Sequence, residues 1–518
     1  MSQTTVIQIK AGPWLPDLPA LNNPGLIVVK GLLPMSNNSY VSMPSFSPRT
    51  TGWSDPIMGF YTTKDRGGRP FNFGASGTRI LGISGVDTHW EDMSPSQALQ
   101  GNLESFWSIV SFGERVIFSN GVDPMQSLIL NLEDRTSRLS PDPDAPVARY
   151  LAVVRDWLVA ANLRDRSGAN LPQRIHWSAI DNPTLWPPPG SDEAVAQQSD
   201  FQDLIGNGGA IQGIVGNIGT ADAAIFMERA IYRMSFVGPP AIFSFHQVEG
   251  ARGAAAPGSI ITVGAQVFYL GEDGFYQFDG TTSVPIGNER INKTILRDIN
   301  LITISRMSAT VDPINSIVFW AYCSKGNSTG YPNRLLAYNW AIVNDDGSLG
   351  RWTLNDLDCQ LLCRSLTNEM NLEQLDQFII ENEISTGVDG LPFSLDSRVW
   401  MAGQPLLSLI DVDGSLCVAT PGNGKAELET GEFEAFPGRL TLLGRVTPLT
   451  DAKDLQVAVR SRNSQAETLS TPVYSLPKNG QTSHRAQARY HRLAVKIDGG
   501  AFSFFNGLTI EVKPGDAR

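Results

Sequence analysis

The chain has 518 residues, 42% hydrophobic and only 18% charged, with a net charge of −12. That sign argues against a nucleic-acid binder that grips phosphates with Lys and Arg, although it permits a channel wall along which DNA slides without adhering. The length allows two or three domains with sizeable cores, and the 49 glycines and 33 prolines suit a chain of many tight turns.

Residues 1–56 read as an extended, proline-rich arm, punctuated by Pro13, Pro16, Pro19, Pro24, Pro34, Pro44 and Pro48. Proline opposes helix interiors and central strands. Apolar residues nonetheless recur there (Trp14, Leu15, Leu18, Leu21, Leu26 to Val29), which a disordered tail would lack. The arm therefore packs along a surface, its own or a neighbouring subunit's, or it is the irregular first segment of a domain. Met1 to Lys10 has no apolar core segment, so no signal peptide is expected. Tyr150 to Leu163, the most apolar long stretch, is interrupted by Arg155-Asp156 and predicts no membrane span.

Residues 57–424 read as a series of β-hairpins. The clearest is Val267 to Asp279, VFYLGEDGFYQFD, where two aromatic-rich runs flank a Gly-Glu-Asp-Gly turn. Looser versions occur at Arg69–Phe73 with Thr78–Ile83, Glu114–Phe118 with Ser127–Leu130, and Trp157–Ala161 with Gln173–Trp177. Ala223–Met227 with Ala230–Met234, and Ser316–Tyr322 with Arg334–Trp340, complete the series. Hairpins spaced by roughly 40 to 60 residues predict a β-propeller of about six blades. Short helices are expected at Arg290 to Ile299 and Glu369 to Gln377, and a long surface excursion at Pro183 to Asp203.

Residues 425–518 change character. Strict apolar/polar alternation at Arg439–Val446, Leu455–Arg460, Leu493–Ile497 and Leu508–Val512 predicts strands with one buried face. An antiparallel β-domain of sandwich or jelly-roll type fits. It is locally basic, with Arg439, Arg445, Lys453, Arg460, Arg462, Lys478, Arg485, Arg489, Arg492 and Lys496. Those residues either seat an acidic partner or form a solvated face.

No motif of nucleophilic, phosphate-cradling or zinc-protease chemistry occurs. Because propellers host glycosidases, Asp345, Asp346, Asp356, Asp358, Asp411 and Asp413 are the carboxylates to weigh. Asp345-Asp346-Gly347 and Asp411-Val412-Asp413-Gly414 are better explained as turns. The segment Asn344 to Trp352 is superficially similar to the Asp-box of sialidase-type propellers, with the wrong spacing. Asp411 to Gly414 lacks the further oxygen ligands of a calcium loop. Cys323, Cys359, Cys363 and Cys417 are too few for a disulfide framework, and Cys359 with Cys363 lacks two more zinc ligands. Catalytic, cofactor and metal sites are therefore each expected to be none, and the chain is not expected to be an enzyme.

Several stretches carry a family resemblance. They are Gly12-Pro13-Trp14-Leu15-Pro16-Asp17 through Pro44-Ser45-Phe46-Ser47-Pro48, and Gly253 to Ser259 with the hairpin after it, Pro285-Ile286-Gly287 and Ile291 to Arg297. Arg334 to Asn339 leading to Gly350-Arg351-Trp352, then Arg489 to Leu493 and Gly507 to Val512, complete them. In these the chain resembles the tail-hub, or tail-nozzle, proteins of short-tailed bacteriophages, the group that includes packaged-DNA stabilisation proteins. The resemblance covers nearly the whole chain, is one of pattern, and brings no active site with it.

It implies a virion structural protein, located in the tail and assembled in the host cytoplasm. Six copies would form a homohexameric ring below the portal and adaptor proteins, continuing the channel for packaged DNA. The ring would dock tail spikes, fibres or a needle, without membrane insertion. The arm is the candidate for reaching a neighbour or the adaptor. The alternatives are a propeller glycoside hydrolase acting on host surface glycan and a cellular propeller scaffold.

Overall fold

In the computed structural model the aromatic hairpin forms from Gln266–Gly271 and Gly274–Phe278, paired antiparallel with Gly271 opposite Gly274. Pairing of the two glycines leaves a turn of only Glu272 and Asp273. Gly274 has φ of 144°, and the Asn292 side chain occupies the space a Cβ would need, so only glycine suits the position. The Tyr276 hydroxyl donates to the Asp273 carboxylate at 2.8 and 2.7 Å, closing the turn.

The structure describes residues 4–515 except 66, 85–86, 103–104, 131–139, 143, 166, 220, 367–378, 380–404 and 423. It is mainly β, built from several small antiparallel sheets. The hairpin is the middle of a four-stranded sheet whose outer strands are Ile261–Val263 and Ser283–Pro285. The other expected hairpins hold the same place in their own sheets. Pro70–Ser76 with Ile80–Ser84 follows Ile57–Lys64; Arg115–Ser119 with Gln126–Ile129 follows Ser108–Phe112. Trp157–Arg164 with Asn170–Trp177 follows Val147–Val154, and Ala221–Met227 with Ile231–Gly238 follows Ile211–Ile218. Ile317–Tyr322 with Arg334–Val343 follows Ser308–Asp312.

The described residues hold a seventh such sheet, which the count of six hairpins leaves out. Its strands are Leu361–Leu366, Pro405–Ile410 and Leu416–Thr420, and its fourth is Ser45–Pro48 from the N-terminal segment. A strand supplied from the far end of the chain has no local sequence signal. The expected helix at Glu369 to Gln377 lies outside the described residues.

Each sheet shares an apolar core with the next. Phe73 meets Phe118 edge-on at 5.2 Å between the first and second sheets. Ile117 and Leu158 pack between the second and third. Trp157 and Trp177 meet Phe243 between the third and fourth, and Phe226 meets Tyr269 between the fourth and fifth. Phe275 meets Trp320 at 4.9 Å between the fifth and sixth, and Phe319 and Leu409 pack between the sixth and seventh. Leu361, Cys363 and Ile410 of the seventh then pack against Ile57 and Leu81 of the first. Fully burying one such side chain contributes about 1.5–3 kcal/mol.

Hydrogen bonds follow the same succession. Trp107 Nε1 donates to the Ser76 carbonyl at 2.8 Å, and the Leu151 amide to Ser108 Oγ at 2.9 Å. Trp320 Nε1 donates to the Ser259 carbonyl at 2.9 Å, and the Leu362 amide to Ser308 Oγ at 2.9 Å. The Ile57 amide donates to Gln360 Oε1 at 2.8 Å, linking the seventh sheet to the first.

Two further sheets face one another at the C-terminal end of the chain. One runs Leu32–Ser36, Ser39–Ser42, Phe505–Pro514, Thr441–Thr450, Thr482–Ala488, with Thr5–Lys10 also paired to Phe505–Pro514. The other runs Leu26–Lys30, Ala426–Thr430, Tyr490–Ile497, Leu455–Arg462. Leu443, Val446, Ile510 and Val512 of the first pack with Leu428, Val457, Leu493 and Val495 of the second.

The N-terminal segment is the main departure from what its prolines suggest. Strands Thr5–Lys10, Leu26–Lys30, Leu32–Ser36, Ser39–Ser42 and Ser45–Pro48 all pair within this chain's own sheets. Pro13, Pro16, Pro19 and Pro24 fall between strands, while Pro34 and Pro48 sit on end strands of their sheets, where proline is tolerated.

The helix expected at Arg290 to Ile299 is Asn292–Asp298. Its own N-cap, Ile291, makes no side-chain cap bond. Asp17 caps it instead, accepting from the Lys293 and Thr294 amides at 2.8 Å each. A carboxylate there satisfies orphan N–H groups and complements the helix dipole. Asp17→Ala is expected to lower unfolding free energy by about 1 kcal/mol, read from denaturant midpoints at unchanged slope. No shift in midpoint would refute the cap.

Candidate functional site

The weighed carboxylates lie in two separate places, the turn at Asp345 and Asp346 and the region of Asp356, Asp358, Asp411 and Asp413. Asp345 accepts from Lys10 Nζ at 2.9 Å and Asn37 Nδ2 at 2.7 Å, and also from Asn38. The bonds from Lys10, Asn37 and Asn38 hold its carboxyl down to about 2. Asp346 caps its own turn through the Ser348 amide at 2.9 Å. Asp411 does the same, accepting from the Asp413 and Ser415 amides at 3.0 and 2.8 Å.

Asp356, Asp358 and Asp411 line a cleft of about 850 Å³ between the seventh sheet and the C-terminal sheets. Lys30 and Lys425 share it, and Asp356 pairs with Lys30 at 3.4 Å and with Arg334. A second cavity, of about 450 Å³, lies where the first strands of the first, fifth, sixth and seventh sheets approach one another. None of the weighed carboxylates lines it, nor does any other carboxylate among the described residues.

The segment Asn344 to Trp352 is a joint. Gly350 has φ of 76°, with the Tyr338 ring where a Cβ would lie. This close turn sends Arg351 inward, where it is 1% exposed. Its guanidinium donates to Asn344 Oδ1 at 2.7 Å, the Ala11 carbonyl at 2.9 Å, Asn37 Oδ1 at 2.8 Å and Asn38 Oδ1 at 3.1 Å. Burial lowers the Arg351 pKa, while Tyr40 and the Asp345 and Asp346 charges oppose that shift. The Tyr40 hydroxyl, pushed up to about 12 by burial, donates to the Gly12 carbonyl at 2.7 Å. Sheet six is thereby bolted to residues 11–40.

The basic residues of the C-terminal region are partly committed to internal pairs. Glu432, fully buried, takes both arms of Arg462 at 2.9 and 2.7 Å, Gln465 at 2.7 Å and Arg492 at 3.3 Å. Burial alone would raise the Glu432 pKa; the bonds from Arg462 and Gln465 outweigh it and hold it below the ordinary value. Arg460 pairs with Glu429 at 3.0 Å, Lys496 with Glu427 at 2.9 Å and Arg445 with Glu511 at 3.7 Å. The Glu432 backbone also accepts from the Asn22 amide at 2.8 Å, another tie to the N-terminal segment.

Sequence reasoning had no signal for Glu432, one acid among many. Arg351 stood in the Gly-Arg-Trp that carries the family resemblance, but nothing local marked it as buried. The four cysteines are buried free thiols, and burial pushes Cys359 up to about 12. Among the described residues no three His, Cys, Asp or Glu side chains are placed to hold a metal, and no helix is long and apolar enough to cross a membrane.

No family model matches the chain, and no curated protein does. Among solved structures, a functionally unknown protein from Desulfotomaculum acetoxidans DSM 771 aligns with 63% of this chain and 98% of that one. The identity is 11% and the TM-score 0.31, a likeness too slight to support an argument about fold or function.

Two outcomes test this account. Arg351→Met leaves four oxygens without their donor in a buried joint and is expected to cost about 3 kcal/mol; a loss below 1 kcal/mol in denaturant unfolding would refute the bolt. His176, beneath Trp186 in the Pro183 to Asp203 excursion, is pushed down to about 4 by burial, aided by the Arg174 charge. Its neutral form is favoured in the folded state, so its contribution is complete above about pH 6.5 and is lost as pH falls towards 4. Unfolding free energy should decline across that window, and His176→Gln should make the decline shallower.

Proposed function

We propose that this chain is a structural subunit of a short-tailed phage virion, part of the tail hub or nozzle. In this reading the first to seventh sheets are the blades of a β-propeller, with each first strand nearest the axis. The cores shared from each sheet to the next, and from the seventh to the first, support that arrangement. The two C-terminal sheets are read as a sandwich-type docking domain held to the propeller by the N-terminal strands.

One observation carries the structural reading over a catalytic one. The polar clusters built around Asp345, Arg351 and Glu432 all fasten one part of the chain to another. A wall through which pressurised DNA passes needs such internal joints, and a low density of charge on it limits adhesion of the polyanion. Copies meeting head to tail would close into a ring of cyclic symmetry, with a homohexamer expected. The portal and adaptor proteins above, and spikes, fibres or a needle below, are the expected partners.

Mass spectrometry of purified virus particles, counting this chain against the capsid protein, tests the proposal. About six copies per particle are expected for one cyclic ring. Absence from the particle would overturn it.

A further inference from the structure

We infer that the cavity among the first strands is a binding site for a small organic anion, a carboxylate or phosphate ester with an apolar body. The cavity holds about 450 Å³, within the range of small-ligand sites. Its charged lining residues are Arg306 and Arg364, with no carboxylate among the described residues. In a chain carrying 52 acidic residues against 40 basic ones, a lining of purely positive charge is a local reversal of the whole.

The two arginines are held differently. Arg306 donates through Nη1 to the Gly330 carbonyl at 2.8 Å and lies over the Tyr331 ring, 5.4 Å from its centre. That fixes the guanidinium at the cavity wall and leaves its other N–H groups for a ligand. Arg364, on Leu361–Leu366, is exposed and has no hydrogen-bond or ion-pair partner among the described residues. A guanidinium fork recognises carboxylate and phosphate oxygens bidentately.

Thr62, Thr262 and Thr310 are among the polar residues of the lining. Met58, Phe60, Phe106 and Met307 supply the apolar part of the wall. The arrangement is a chamber of mixed apolar and hydroxyl-bearing wall with two cations, a pattern that suits an amphiphilic anion rather than a free inorganic ion.

Phenyl phosphate is the probe, titrated calorimetrically into the full chain at fixed ionic strength, with benzyl alcohol and inorganic phosphate as comparators. Phenyl phosphate is expected to bind with a Kd below about 1 mM, and each comparator at least about tenfold more weakly, because each offers only half of the complementarity. Arg364→Gln, at an exposed position that folding tolerates, is expected to weaken phenyl phosphate about tenfold or more and leave benzyl alcohol unchanged. No binding of phenyl phosphate at millimolar concentration would overturn the site. So would equal affinity for benzyl alcohol, or an unchanged Kd in Arg364→Gln with its melting temperature preserved. None of these outcomes bears on whether the chain occurs in virus particles.

Discussion

The pairing of the first fifty residues with the last hundred is the constraint on which the remaining architecture rests. Strand Ser45–Pro48 completes the seventh sheet against Leu416–Thr420, and strands Thr5–Lys10 and Leu26–Lys30 each take a place in a C-terminal sheet. Without them the seventh sheet would expose the N–H and C=O row of Leu416–Thr420, and the C-terminal sheets would lose strands from both layers. Exposed strand edges invite pairing with other chains. The N-terminal strands therefore both complete the sheets and protect them.

The polar joints serve the same connection. Asp17 reaches the helix after the fifth sheet, Arg351 of the sixth sheet reaches the Ala11 carbonyl and Asn37, and Glu432 holds Asn22 by its backbone. Each lies where apolar packing alone would leave the orientation of the N-terminal segment underdetermined. A buried cation met by fixed oxygens tolerates little displacement, because any shift leaves a charge or a carbonyl unpaired in a medium of low dielectric. The three contacts thus fix alignment as much as stability.

Much of the mainly-β character was legible because strands announce themselves locally. The Phe275 to Phe278 run alternates into two neighbouring cores, and its turn glycine is dictated by backbone geometry. The outer strands of each sheet were harder, since Glu91–Asp92 or Ser140–Pro141 are two residues long and carry no periodic signal. The seventh sheet's hairpin, Pro405–Ile410 with Leu416–Thr420, was passed over although its Asp411-Val412-Asp413-Gly414 turn was read, and its fourth strand, Ser45–Pro48, has no local signal at all. Of the candidate sites, the turn roles of Asp346 and Asp411 could be read from their glycines. The burial of Arg351 and Glu432 could not, because it is created by contacts with residues hundreds of positions away, and the cavity is likewise a product of tertiary assembly.

The same long-range pairing sets an order on synthesis. The Leu416 amide finds Thr50 Oγ1 across 366 residues, and Thr420 Oγ1 finds the Ser45 carbonyl across 375. The first six sheets have their partners nearby and can form as the ribosome delivers them, whereas Ser45–Pro48 emerges long before Leu416–Thr420 and waits for it. Contacts of such separation form slowly, and apolar strands held open in the meantime are exposed to association. A chain stopped before Leu416 would leave Ser45–Pro48 without its strand partner, so completion of the seventh sheet is the step that covers that edge.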